Sequence, residues 1–535
     1  MVSQKLTPIK YKSQIICYSW IKILSLIMVV HSSVLAQNKE DRPNIIFIMA
    51  DDHAANAISS YQSRLSKIAL TPNIDRIGHE GIRFENGFCT NSICTPSRAV
   101  VLTGLHSHKN GVLDLEDMLD STKNATSQDL IRKSGYYTGM IGKWHLLVKP
   151  FGFDYWKVLV GQGQYHNPFY WEKNIGWDPE KNGAKQYKGY VTDINTNMAI
   201  DFLESRPKEK PFFLMLHFKA PHDRWDNNKK YDSLYTNVDI PEPLNLFDKH
   251  KTRGKGIREC TQTIGNCHTA YSEETKGFIG ANRKRKQYQV YMKKYLRCVA
   301  SIDENVGRVL DYLDQKGLNK NTLIVYTSDQ GFFLGEHGLY DKRFMYEESM
   351  RIPLLVRYPD KIKAGQINNE LVSNLDFAET FLDYAGIGIP DKMQGRSLRP
   401  LFESKDIKWR YALYYRYWMH GAHFNVPAHL GIRTKSEKLM FFYGNDLGTH
   451  PTMRYQDGEY KGISTITKPW KVENPYWEYY NLTTDNYEMK NLYKDGASKS
   501  RIKELKKKLV ELRVKYEDLD DNFPEMKEIV NKFWN

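Results

Sequence analysis

Asn44-Ile-Ile-Phe-Ile-Met-Ala-Asp-Asp-His53 is an unbroken apolar run that stops on two carboxylates and an imidazole. A short apolar run without polar alternation predicts a fully buried strand. Its carboxyl end is where an open α/β sheet builds its site. The same pattern recurs three times. Tyr136 to Ile141 precedes Gly142-Lys143-Trp144-His145, Phe212 to Phe218 precedes Ala220-Pro221-His222, and Thr322 to Thr327 precedes Ser328-Asp329-Gln330-Gly331. Helical stretches lie between them: Pro72 to Glu80, Val191 to Leu203 and Tyr288 to Gln315. This alternation predicts an α/β layer fold with a mostly parallel or mixed sheet.

Bulk properties set the frame. With 535 residues the chain is too long for one core and suggests roughly two domains. Hydrophobic residues make up 41%, typical of a globular protein, and the 35 tyrosines and 11 tryptophans suit both a core and a sugar-stacking surface. Residues 1–36 read as an export signal. Lys5, Lys10, Lys12 and Lys22 precede an apolar core from Ile23 to Val30, which ends at Val34-Leu35-Ala36. That core is too short for a membrane span, and the expected location is the periplasm or the exterior, with no stable membrane insertion after cleavage. Removing those four lysines lowers the net charge from +14 to +10. The excess favours anionic partners such as a sulfated polymer, and the scattered basic residues carry no nucleic-acid motif.

The texture changes after Leu398-Arg399-Pro400-Leu401-Phe402. Strand candidates at Arg410 to Tyr415 and Lys438 to Tyr443 precede a charged helix from about Lys499 to Tyr516. The expected division is a leader over 1–36, a catalytic domain over 37–404 and a smaller α+β subdomain over 405–535. Residues 245–285 read as a long polar insertion loop, in which Cys260 and Cys267 are close enough to bridge in an oxidising compartment.

Asp51 and Asp52 at one strand end, with Asp329 and Gln330 at another, form an all-oxygen set that selects calcium or magnesium over zinc. Between them lies Cys94-Thr-Pro-Ser-Arg98, followed at once by Ala-Val-Val-Leu-Thr-Gly104, with a helix beginning near Ser97 and Cys94 just before it. These motifs are continued by Gly-Lys-Trp-His145, Ala-Pro-His222, Ser328-Asp-Gln-Gly-Phe-Phe-Leu-Gly-Glu-His-Gly338 and Asp341-Lys-Arg-Phe-Met-Tyr-Glu347. In that order the chain resembles a type I, formylglycine-dependent sulfatase. The resemblance continues to Asn486-Tyr-Glu-Met-Lys-Asn-Leu492 and so covers nearly all of the expected mature chain.

The resemblance implies the alkaline-phosphatase-like fold, with a large central mixed sheet between helices and a C-terminal subdomain carrying a short antiparallel sheet. It implies that a maturase converts Cys94 to formylglycine, and that Asp51, Asp52, Asp329, Gln330 and residue 94 hold one calcium ion. Many relatives carry Asn where Gln330 stands; glutamine keeps the amide oxygen on a longer arm. Arg98 is then a partner of the modified residue, and Lys143 and Lys342 are charges for a sulfate. His145 is the expected base, and His222 binds sulfate and protonates the leaving oxygen. The chemistry is coherent: an aldehyde hydrate attacks through one hydroxyl, and the other later expels sulfate, whereas a thiolate has no such exit. His53 is read either as a partner behind the metal pair or as a packing residue, and His337 as structural or peripheral.

In the C-terminal part His423, His429 and Arg433 are the candidates for reading the sugar. The expected function is an exo-acting sulfatase on algal polysaccharides or glycosaminoglycans. The stretch Met345-Tyr-Glu-Glu-Ser-Met-Arg-Ile-Pro353 is similar to that of glucosamine-6-sulfatase-like relatives, although it is widely shared. The alternatives are a phosphodiesterase or phosphonate hydrolase of the same superfamily, and a glycan-binding protein on a retired scaffold.

Overall fold

The computed structural model describes residues 42–177, 183–445, 447 and 474–535; the leader read over 1–36 lies outside them. Residues 44–535 form one compact unit. In chain order its main elements begin with β1 (Asn44–Ala50), α1 (Pro72–His79), β2 (Ile82–Phe84), α2 (Cys94–Thr103), β3 (Tyr137–Gly142), β4 (Tyr155–Leu159), β5 (Phe169–Glu172) and β6 (Lys185–Gln186). Next come α3 (Val191–Ser205), β7 (Phe212–Phe218), α4 (Gly280–Gln315), β8 (Thr322–Ser328), β9 (Leu354–Arg357), β10 (Gln366–Asn368) and α5 (Phe377–Tyr384). The chain closes with β11 (Ala412–Tyr417), β12 (His429–Thr434), β13 (Glu437–Phe442), β14 (Tyr476–Asn481), α6 (Lys499–Lys515) and α7 (Pro524–Phe533).

Ten strands make the large sheet, in the order β10-β2-β9-β8-β1-β7-β3-β4-β5-β6. Its centre is parallel: β1 pairs with β7 and β8, and β3 pairs with β7 and β4. The antiparallel pairs β8-β9, β2-β9, β4-β5 and β5-β6 make the sheet mixed, as expected. The unbroken apolar run of β1 has a simple cause. Ile45, Phe47 and Met49 face one layer, where Phe47 meets Phe377 and Phe381 of α5, while Ile46, Ile48 and Ala50 face the other, which contains Tyr295 and Leu296 of α4. Each fully buried large side chain contributes roughly 1.5–3 kcal/mol.

A second, four-stranded antiparallel sheet runs β11-β12-β13-β14 and packs on Leu505, Leu509 and Leu512 of α6. Two expectations need correction. Residues 245–285 are not one loop: they hold a helix at Lys255–Glu259, short turns, and the first residues of α4. Cys260 and Cys267 are free and buried; each thiol donates locally, to the carbonyls of Ile257 at 3.3 Å and Ile264 at 3.2 Å. Among the described residues no helix is long and apolar enough to cross a membrane.

Gly142 ends β3 with φ +95°, and a Cβ there would collide with the His217 carbonyl oxygen on β7. Only glycine lets the chain turn there and present Lys143. Gly142→Ala is expected to lose more than about 1 kcal/mol in chemical denaturation and to reduce turnover in the folded fraction. An unchanged denaturation midpoint would show that the turn does not need glycine.

Candidate active site

Four parallel strands end at one edge of the sheet. β1 delivers Asp51 and Asp52, β8 delivers Asp329 and Gln330, β3 delivers Lys143, and β7 leads through Pro221 to His222. All the carboxylates are fully buried. Oxygens of Asp51, Asp52 and Asp329 lie within 4.8 Å of one another, as do Asp51, the Cys94 sulfur and His222. The loop residues before α2 bring Cys94 to this edge. It is the first residue of the helix rather than the one before it, with Ile93 as N-cap and Gly104 closing the far end at φ +62°. The Cys94 sulfur sits 3.7 Å from Asp51 Oδ1, at the positive end of the helix dipole.

Each carboxylate has its own cation. Lys143 Nζ donates to Asp51 Oδ2, and Lys342 Nζ donates to both oxygens of Asp52 at 2.7 Å. Arg98, one turn after Cys94, donates to Asp329 Oδ2 from Nη2 at 2.8 Å and from Nε at 3.1 Å. Its Nη1 bonds the Lys143 carbonyl at 2.7 Å, tying α2 to the end of β3. Ser97 Oγ donates to the Asp329 carbonyl and accepts from Asn374 Nδ2 at 2.9 Å.

The electrostatics follow from burial and these pairings. Burial opposes ionisation of Asp51, but Lys143, with Arg98 and Lys342, outweighs it and holds the carboxyl well below the usual range. Burial pushes Asp52 up to about 6 despite Lys342, and Asp329 up to about 7, where the Asp51 charge adds to the burial and Arg98 opposes it. Burial also pushes the Cys94 thiol up to about 12, against Lys143 and Lys342. An unmodified thiol here is protonated at neutral pH and a poor nucleophile.

Both candidate histidines arrive. His145, at φ +52°, places Nδ1 3.3 Å from Thr95 Oγ1 on the first turn of α2. His222 points Nε2 toward Asp52 Oδ2 at 3.8 Å. Burial, with Lys143 adding to it, holds both imidazoles neutral. His53 bonds Tyr326 through Nδ1 at 2.6 Å, and His337 bonds Asp248 at 3.0 Å, which gives both packing roles.

The donor set fits a hard divalent cation. It is all oxygen, and Gln330 turns Nε2 toward Asp52 Oδ1 at 2.6 Å while its Oε1 is buried without a hydrogen-bond partner. Turning the amide over would offer that oxygen to a cation beside three carboxylates.

The three sugar-reading candidates separate. His429 does not line the cleft: its Nε2 accepts from the Met345 backbone at 3.1 Å, its Nδ1 faces the Pro427 carbonyl at 2.7 Å, and its ring stacks on Phe442 at 4.7 Å. Arg433 is buried over the Phe88 ring and paired with Glu347 at 3.0 Å. Both tie the second sheet to the Met345–Glu347 segment. His423 is part-buried within the field of Arg343, Asp341 and Lys342, and burial, with Arg343 adding to it, lowers its pKa to about 3.

The sequence reading missed Asp341 and Arg343, which flank Lys342. Both adopt positive φ, +70° and +89°. Arg343 is buried; its Nε lies 3.5 Å from Asp341 Oδ1, and neither Nε nor Nη1 makes a hydrogen bond. An acid-base-base triplet next to a recognised lysine was the available signal.

Comparison with known proteins decides the family. The sulfatase model matches residues 43–387, and that for the C-terminal part of N-sulphoglucosamine sulphohydrolase matches residues 335–450. The chain belongs to the sulfatase family. This sulfatase is 40% identical to an N-acetylglucosamine-6-O-sulfatase of Bacteroides thetaiotaomicron, over 91% of this chain and 89% of the relative. It is 39% identical, with a TM-score of 0.80, to a solved structure in complex with its substrate D-glucosamine-2-N,6-O-disulfate, covering 90% of this chain and 99% of the other. A phosphonate monoester hydrolase of Agrobacterium radiobacter, 21% identical with a TM-score of 0.65 over 89% of this chain and 96% of its own, shares the fold. The protein is thus a sulfuric ester hydrolase.

Calcium or magnesium ions are expected to raise the melting temperature, and exhaustive chelation to lower it. Saturation at a hundredfold excess over Kd corresponds to about 2.7 kcal/mol. Gln330→Leu should weaken the effect. A melting curve indifferent to both ion and chelator would show that the carboxylate trio is not a cation site.

Proposed function

We propose that this sulfatase is an exo-acting glucosamine-6-O-sulfatase, working on sulfated oligosaccharides derived from glycosaminoglycans. The observation that carries the reading is the 40% identity, across nearly the whole chain, to a relative named for that activity. The solved relative bound to a 6-O-sulfated glucosamine supports it. Asp341, Arg343 and His423, grouped around Lys342, would then offer an acceptor, a fork of donors and an imidazole to a sugar ring.

Residue 94 is proposed to be formylglycine, installed by a maturase. The modification supplies the hydrated aldehyde nucleophile that a buried, protonated thiol cannot replace. Asp51, Asp52, Asp329 and Gln330 would hold one calcium ion, which supplies Lewis acidity toward a sulfate oxygen. The chain's own groups do the rest. Lys143 and Lys342 set two ammonium groups beside the sulfate, whose charge spreads as the ester breaks. Arg98 fixes Asp329 and the turn carrying Lys143. His145, held neutral, is free to take a proton from the nucleophile. A bound anionic sulfate offsets the positive charge around His222, raising its proton affinity so that Nε2 can protonate the leaving oxygen. The leader over 1–36 would export the enzyme to the periplasm or the exterior. Residues 37–404 would carry the chemistry and 405–535 the subdomain that closes the sugar side.

The test is a panel of regiodefined sulfated glucosamine, galactose and uronic acid saccharides, with residue 94 verified by mass spectrometry. Release of the 6-O-sulfate of glucosamine, with other positions far slower, is expected; preference for another hydroxyl or sugar would contradict the assignment. Cys94→Ser, in a host whose maturase acts only on cysteine, should keep its melting temperature and lose turnover to background. Retained turnover would show that the modified residue is not the nucleophile.

A further inference from the structure

The turn that carries His222 is held from two sides. On the sheet side, the His222 amide donates to the Lys219 carbonyl at 3.1 Å, and Tyr165 donates to the His222 carbonyl at 2.5 Å. On the other side, residues 223–225 are gripped by the insertion between β7 and α4. His268 opens a short turn in that insertion. Its Nδ1 lies 2.6 Å from Asp223 Oδ1, its Nε2 lies 3.0 Å from the Arg224 carbonyl, and its ring stacks on Trp225 at 4.9 Å and 18°. Trp225 is fully buried and wedged against Tyr291 of α4.

The two ring nitrogens of His268 both face oxygens that can only accept. A neutral imidazole with its one N–H on the Arg224 carbonyl leaves the Asp223 carboxylate, whose Oδ1 has no hydrogen-bond partner, without a countercharge; only the imidazolium both donates to the carbonyl and pairs with the carboxylate. The His268 side chain is 39% exposed, so water and protons reach it. The charged groups around it are Asp223, which favours the imidazolium, and Lys294 of α4, which opposes it. Burial lowers its pKa, but Asp223 and the Arg224 carbonyl outweigh that, and the net direction is upward.

We propose that charged His268 is a positioning residue: it latches Asp223–Trp225 and so fixes the catalytic imidazole of His222, giving turnover an alkaline limb set by His268. The proposal rests on His222 acting as proposed above. The linkage is direct, since His222 Nδ1 faces the carbonyl of Asp223 at 3.1 Å, and Asp223 is the residue His268 grips. Above the pKa of His268 the latch loses its charge, the segment loosens, and the aim of Nε2 is lost.

The experiment has two arms on the full mature enzyme, with modification at residue 94 equal in all variants. Histidine ring titration by NMR should place His268 above an ordinary histidine, and Asp223→Asn should lower it. In kinetics on a 6-O-sulfated glucosamine, His268→Gln should lower kcat about tenfold at mildly acidic pH, the scale of a misaligned group, with KM within about twofold, and should flatten the alkaline limb. His268→Arg, charged throughout, should keep most of kcat and carry activity to higher pH. A His268 that titrates at or below the ordinary value, or a His268→Gln profile superimposable on the wild type, would overturn the latch. Wild-type enzyme that releases no sulfate while His268 still titrates high would overturn the functional reading instead.

Discussion

Three buried carboxylates stand against three buried cations at the carboxyl ends of the sheet's parallel central strands, and the rest of the site depends on that arrangement. Removing one partner of such a pair costs about 3–5 kcal/mol, because a charge is left in a medium that cannot solvate it. Lys143, Lys342 and Arg98 are therefore fixed by Asp51, Asp52 and Asp329 before any substrate arrives. Arg98 does double duty, bonding Asp329 and the Lys143 carbonyl, so the helix bearing residue 94 is welded to two strand ends. A preorganised electrostatic cage of this kind needs no reorganisation during reaction, which is where such sites gain their rate.

The sequence made the sheet and the first ring of the site legible because the physics there is local. An apolar run buried on both faces looks the same in any protein, and a polar residue right after it must sit at the strand's end. β1, β3, β7 and β8 all begin and end within a residue or so of the apolar runs that predict them. Cys94, Arg98, Lys143, His145, His222, Asp329, Gln330 and Lys342 converge as those strand ends require. Glutamine at 330 spends its Nε2 on Asp52 and leaves its amide oxygen buried without a hydrogen-bond partner.

What escaped the sequence was decided by distant partners. His429 and Arg433 sit on β12 among aromatic and charged residues, and nothing in their own neighbourhood reveals that Met345 and Glu347 would claim them. His423 and Arg433 are ten residues apart and look equally suited to a sugar, yet the fold leaves one part-buried in the field of Lys342 and Arg343 and buries the other against Phe88 and Glu347. Asp341 and Arg343 were overlooked because a charged triplet ordinarily marks a solvated turn; here positive φ turns both inward. His268 lies in an insertion with no periodicity, and its significance appears only when Asp223 is found 2.6 Å away.

The most direct measurement of the central claim is a crystal structure of active, mature enzyme at a resolution that identifies ligands by distance. The account predicts one divalent ion bound by Asp51, Asp52, Asp329 and the Gln330 amide oxygen, with an aldehyde or its hydrate at position 94 beside it. An intact thiol at that position in fully active protein, or the same carboxylates paired only with Lys143, Lys342 and Arg98 in the presence of excess calcium, would contradict it.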